Sequence, residues 1–365
     1  MRKFIVRRDI RGIGAVSRRE WAERADRTNE LIARELSPEL VWVESQVGAD
    51  RAYCTYYAKS EEVVRRHSEL AGLPVHSIDE IATVVVPSDG ADALGGDKAR
   101  IRATYDAAAD HFDAPPLGFW ARAGRRTVDL LDPQPGARVL DVGCGSGASA
   151  LPAAVRVGAD GYVLGVDLSQ ELLGLAREKA RDLSLGNTEF RVSDMTALGL
   201  PDGHFDAVVS VFSLFFVEDM PALLGDLWRL VRPGGRLAVG TWGARVFEPA
   251  NSVWWRTVLE ECPDLRLPFR PWERIQEPAS LAGLFEGAGI PAPTVQAVED
   301  RQPLDAADDW WTIVLGSGMR RTVEQIGPAA ADRVRRRTLE HLTAGGVRQV
   351  ECNTLHAVAT KARPG

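Results

Sequence analysis

Residues 139–147 read VLDVGCGSG. An apolar run that ends in an acid and is followed by glycine at every second position predicts a buried strand turning sharply onto a ligand. Three missing Cβ atoms let the backbone come close to that ligand. The spacing is GxGxG, whereas a dinucleotide loop has GxGxxG and offers a helix N-terminus to a pyrophosphate. Asp141, just before the first glycine, suits a cationic ligand better than an anion. From Asp110 onward, strand-like and helix-like stretches alternate: ARVLDVG, GASALPAAVRV, GYVLGVDLS, QELLGLAREKARDL, TEFRVSD, FDAVVSVFSLFF, MPALLGDLWRLV and RLAVGTW. That alternation predicts a parallel α/β sheet, with its ligand beyond the carboxyl ends of the strands where their order reverses.

Two further acids narrow the ligand. Asp167 ends the second strand, where a carboxylate accepts both hydrogen bonds of a ribose diol. Asp194 follows the third strand, placed to accept from an adenine amino group. A cationic amino acid, a ribose and an adenine together make S-adenosylmethionine. Taken in order, VLDVGCGSG, GVDLS, VSDM, FDAVVS and RPGGRLAV resemble the class I S-adenosylmethionine-dependent methyltransferases. The resemblance runs from about Tyr105 to the C-terminus and implies a Rossmann-like seven-stranded domain. It places Gly143, Gly145 and Gly147 at the methionine portion with Asp141 nearby, Asp167 and Leu168 at the ribose, and Asp194 and Met195 at the adenine. Val211 falls beside the methionine carboxylate and sulfonium, and Tyr105, on the helix ahead of the sheet, falls against the cofactor.

One departure concerns the acid–base chemistry. Many small-molecule members carry a His pair after the fourth strand, where this chain has Phe215 and Phe216. His111 is the candidate base, against the alternative of a solvent-facing helix residue. Methyl transfer from an already activated sulfonium needs alignment and desolvation more than a strong base. Seven of the ten tryptophans lie after residue 227, and a substrate lid is expected at about 243–275. Phe119, Trp120, Trp254 and Trp255 are the aromatic candidates there, over a floor of Phe215 and Phe216. The expected substrate is small and largely apolar or aromatic.

The first ninety residues have a different pattern. KFIVRRDI, LVWVESQV, RAYCTYYA and IATVVVP read as strands, and SRREWAERADRTNELIARELS and SEEVVRRHSELAGL as capped helices. The order βαββαβ predicts a ferredoxin-like α+β domain over 1–87, followed by a glycine-rich linker at 88–98 and the methyltransferase-like domain at 99–365. Residues 2–86 resemble a family of small ferredoxin-like proteins with nickel-binding members, through Trp42, Ser45, Cys54, His67 and the AGLP turn at 71–74. The resemblance implies a homodimer through this domain, and names Cys54 and His67 as ligands for nickel or another divalent metal. The alternative is a buried strand residue and a helix-face residue. Two soft ligands do not complete a site.

The net charge of −7 disfavours nucleic acid as a partner, and no apolar run reaches membrane-spanning length. The N-terminus lacks the apolar stretch of a secretion signal, and the four cysteines are scattered without a CxxC pair, so a cytoplasmic location is expected. The leading expectation is methyl transfer to carbon or oxygen of a small molecule. Two alternatives stand beside it: cofactor-assisted cyclisation on the same fold, and a metal-regulated enzyme with the N-terminal domain as nickel sensor.

Overall fold

A computed structural model describes residues 2–16, 18–37, 39–80, 88–265 and 270–363. The chain divides into two compact units, Met1–Ala93 and Leu94–Gly365.

The first unit runs β1 (Arg2–Asp9), α1 (Arg18–Glu35), β2 (Leu40–Val47), β3 (Arg51–Ala58), α2 (Glu61–Leu70) and β4 (Ser77–Glu80). Its four strands pair antiparallel in the order β2-β3-β1-β4, the ferredoxin-like arrangement. Alternation explains the burial. Phe4, Val6, Cys54, Tyr56 and Ala58 are buried against α1 and α2, while Ile5, Tyr53 and Tyr57 share the opposite face. The strand expected over 81–87 lies outside the described residues.

The second unit begins in α3 (Ser88–Phe112). The stretch 88–98, expected as a linker, is helical in backbone. Once the following turns form, each added residue contributes a hydrogen bond at little further cost, which carries the helix back through glycines. Then come α4 (Phe119–Leu131), β5 (Arg138–Val142), α5 (Ala150–Val157), β6 (Tyr162–Asp167), α6 (Gln170–Asp182), β7 (Thr188–Val192), β8 (Phe205–Val211), α7 (Met220–Leu230) and β9 (Val231–Trp242). The remainder is α8 (Ala250–Glu261), α9 (Pro278–Gly287), β10 (Thr294–Val298), β11 (Arg301–Pro303), α10 (Asp309–Leu315), α11 (Arg320–Ile326), α12 (Pro328–Ala344), β12 (Gln349–Glu351) and β13 (Thr354–Thr360).

The main sheet has seven strands in the order β10-β13-β9-β8-β5-β6-β7. β5 to β9 are parallel; β13 lies antiparallel to β9 and β10 antiparallel to β13, so only β13 runs against the other six. Strands buried on both faces read as near-continuous apolar runs, as VLDV and AVVSV do. The order reverses between β5 and β8, so the loops after these two strands flank the crevice where a ligand binds. Caps fix the helices on either side. Ser169 Oγ accepts from Leu172 N at 3.1 Å to start α6, and Asp219 accepts from Ala222 N at 2.9 Å to start α7.

Candidate functional site

The glycine loop leaves β5 with Gly143 at φ 71°, Gly145 at φ 51° and Gly147 at φ 90°. Gly143 is fixed by crowding as well as by its backbone: a Cβ there would fall 2.2 Å from Ser213 Cβ, on the loop after β8. Ser213 is itself held by a hydrogen bond to Val142 O at 2.8 Å, so the two loops at the crossover touch without room for a side chain. Gly147 plays a different part. A Cβ there would meet Leu151 at 2.9 Å, so it lets α5 pack close and does not line the ligand cleft.

Asp167 ties the loop down. Its carboxylate accepts from Gly145 N at 2.8 Å and from Ser169 N at 2.9 Å. Burial pushes its pKa up, and those backbone donors pull it partly back. Asp141 is wholly buried. Ser149 Oγ donates to its Oδ2 at 2.7 Å, and among the described residues no side-chain or backbone donor lies within hydrogen-bond geometry of its Oδ1. Desolvation raises it to about 7, with the charge of Asp167 adding to the shift. Asp194 is half-buried and bonded to Lys98 Nζ at 2.7 Å and to Thr196. Partial burial works against its ionisation, but those hydrogen bonds outweigh it and hold the carboxyl below its usual range.

Tyr105, Gly143, Gly145, Asp167, Leu168, Asp194, Met195 and Val211 all line one narrow cleft of about 110 Å³ at the crossover. Asp141 stands behind it. The cleft adjoins a cavity of about 1210 Å³, and Tyr105, Trp120, Phe212 and Phe216 line both. Phe212, just past β8, has φ 55° and stacks on Trp242 with ring centroids 4.1 Å apart. Its strained backbone aims an aromatic ring at the junction, a position without any local sequence signal. Lys98, which takes the Asp194 carboxylate, was equally invisible, since the pair is ninety-six residues apart in sequence.

His111 corrects the sequence expectation. It lines neither cavity, and its Nδ1 lies 2.6 Å from Asp110 Oδ1. The cleft-facing residues of α3 are Lys98, Ile101, Tyr105 and Phe112, a helical stripe that leaves position 111 turned about 100° away. Among the aromatic candidates, Trp120, Trp255, Phe215 and Phe216 line the large cavity, whereas Phe119 and Trp254 are core residues at 1% and 0% exposure. Phe119→Ala is therefore expected to cost ~3–5 kcal/mol of stability. Phe216→Ala, at a half-open position, should cost ~1–2 kcal/mol and weaken ligand binding instead. Melting curves and calorimetry on both variants check this.

Cys54 and His67 do not fit nickel. Ser45 Oγ donates to Cys54 Sγ at 3.0 Å, and Trp42 Nε1 donates to Ser45 Oγ. His67 is fully buried, and among the described residues neither ring nitrogen has a hydrogen-bond partner. Beside it, the buried Arg8 guanidinium bonds Pro74 O, Ser68 Oγ and Tyr56 Oη at 2.9–3.1 Å. Burial, with that guanidinium, lowers the His67 pKa to about 4. A divalent cation would share the pocket with a permanent positive charge, and among the described residues no group of three His, Cys, Asp or Glu side chains could hold a metal. Metal analysis after incubation with nickel should find the purified chain essentially metal-free; close to one nickel per chain would overturn this.

Residues 139–235, which hold the glycine loop, Asp167, Asp194 and Val211, match the family described as "Methyltransferase domain". Over those residues the chain is similar to methyltransferase domains. Residues 4–81 match the family described as "Nickel responsive protein SCO4226-like". The chain is 38% identical over 135 residues to the nocamycin O-methyltransferase of Saccharothrix syringae, covering 37% of this chain and 48% of that one. It is 35% identical over 141 residues to the aklanonic acid methyltransferase of Streptomyces sp. (strain C5), covering 39% and 64%. A ubiquinone/menaquinone biosynthesis C-methyltransferase of Vibrio vulnificus is 32% identical over 155 residues, covering 42% and 58%. The chain thus spans about half to two thirds of the length of these curated relatives.

Proposed function

We propose that the chain transfers a methyl group from S-adenosylmethionine to oxygen or carbon of a small, largely aromatic molecule. The observation that carries this reading is the junction: a cleft lined by Gly143, Gly145, Asp167 and Asp194 adjoins a large aromatic cavity. The relatives' names, an O-methyltransferase and a quinone C-methyltransferase among them, point the same way. In this reading Asp167 holds the ribose, Asp194 exchanges Lys98 for the adenine amino group, and the rings of Trp120, Phe212 and Phe216 exclude water from the methyl path. Incubating the protein and methyl-labelled S-adenosylmethionine with small-molecule extracts should label an aromatic product. Turnover without gain of a methyl mass would instead support cyclisation.

The described helices include none long and apolar enough to cross a membrane. Cytoplasmic residence is supported by four free cysteines, three of them buried. The first unit is proposed to dimerise the chain through the sheet face carrying Ile5, Tyr53 and Tyr57; Tyr53 is 40% exposed there. Light scattering should give a dimer for the native protein and a monomer for Tyr53→Lys. A dimer in both would remove this face from the interface.

A further inference from the structure

Tyr105 is packed between the rings of Phe112 and Phe216, whose centroids lie 6.2 and 5.7 Å away with edge-on geometry. Those two contacts fix the ring and therefore the direction of its hydroxyl. The ring borders both the cleft and the cavity, and the hydroxyl has a close neighbour on the cavity side. It lies 3.5 Å from the place a Cβ on Gly318 would occupy, and Gly318 lines the large cavity and not the cleft. Among the described residues the hydroxyl has no hydrogen-bond partner. The charged groups nearby are already committed: Lys98 to Asp194 and Thr196, and Asp167 to two backbone amides. Burial, with the charge of Asp167, pushes the Tyr105 pKa up, so the group keeps its proton. A fixed, uncommitted donor at the mouth of an aromatic cavity calls for an acceptor on the substrate.

We propose that Tyr105 Oη–H donates a hydrogen bond to the acceptor oxygen of the substrate, and that the substrate class is an aromatic or enolisable molecule presenting an acidic oxygen. The inference rests on the methyltransferase reading and narrows it to transfer to oxygen. The oxygen gives its proton to solvent before the chemical step, so no protein base is required. One of its lone pairs then forms the bond to the methyl carbon, and the electrons of the broken S–CH3 bond stay on sulfur, which becomes a neutral thioether. Tyr105 keeps its proton throughout and stabilises the oxyanion until it is methylated.

The test uses 1,2-dihydroxyanthraquinone, whose colour reports its ionisation, with the full chain saturated in S-adenosylhomocysteine. Bound dye should ionise about one to two pH units below free dye, the shift of one charge-assisted hydrogen bond. Tyr105→Phe, again saturated in S-adenosylhomocysteine, should abolish the depression. Gly318→Val, which crowds the hydroxyl from the cavity side, should do the same. An equal depression in the variants, or no dye binding to the native chain, overturns the assignment. If S-adenosylhomocysteine itself does not bind, it is the methyltransferase reading that fails.

Discussion

Asp167→Ala should lose S-adenosylmethionine affinity by at least about two orders of magnitude. Two effects act together. The ribose hydroxyls would lose a carboxylate acceptor, and a hydrogen bond to a charged group contributes ~1.5–3 kcal/mol. The same carboxylate holds Gly145 N and Ser169 N, so its removal also frees the glycine loop and the start of α6. Asp167→Asn separates the two. An amide oxygen can still accept one of the backbone bonds, so loop order should largely persist while affinity falls by about tenfold or more. Calorimetric titration of both variants with S-adenosylhomocysteine is the measurement. Affinity preserved in the alanine variant would take Asp167 out of the ribose site.

Asp141→Asn should stabilise the unliganded protein at neutral and alkaline pH. The folded state raises the Asp141 pKa from its ordinary 3.8 to about 7, because burial and the charge of Asp167 outweigh the hydrogen bonds from Ser149 and the Ala150 amide. A raised acid contributes stability below its unfolded pKa and loses it as pH rises through the folded value. The native protein should therefore lose stability relative to the variant between pH 4 and 7. About three pH units correspond to ~4 kcal/mol. Buried His67 and His356, whose pKa values burial lowers to about 4, act in the opposite direction over the same window, so only the difference between the two proteins isolates Asp141. Unfolding free energies measured from pH 3.5 to 8 should diverge steadily and level off above pH 7. Parallel curves would mean that the carboxylate ionises at little cost. In the proposed complex the cationic methionine portion offsets this cost, which gives the cleft a reason to keep a carboxylate behind its glycines.

The sequence by itself determined the sheet and most of the cleft. Strand-length apolar runs alternating with capped helices permit little besides a doubly wound sheet, and acids at the ends of the first three strands converge wherever such a sheet reverses its order. Gly143, Gly145, Asp167, Leu168, Asp194, Met195 and Val211 were legible because each sits at a fixed offset from its own strand. The ferredoxin-like order of the first unit was legible for a similar reason, since period-two alternation and a short hairpin are local signals.

Only the tertiary structure decided which groups face one another across long sequence separations. Lys98 meets Asp194 because α3 lies over the loop after β7. His111 is displaced from the site by one residue of helical phase, and Phe119 and Trp254 are core while their neighbours Trp120 and Trp255 line the cavity. Adjacent aromatic residues on a helix point about 100° apart, and composition does not say which direction is inward. The same holds for the expected metal pair. Cys54 and His67 carry the right atoms, but Arg8, fifty-nine residues before His67, brings its charge beside the imidazole. Local pattern reports the path of the backbone, whereas the neighbours a side chain meets are set by packing between elements distant in sequence.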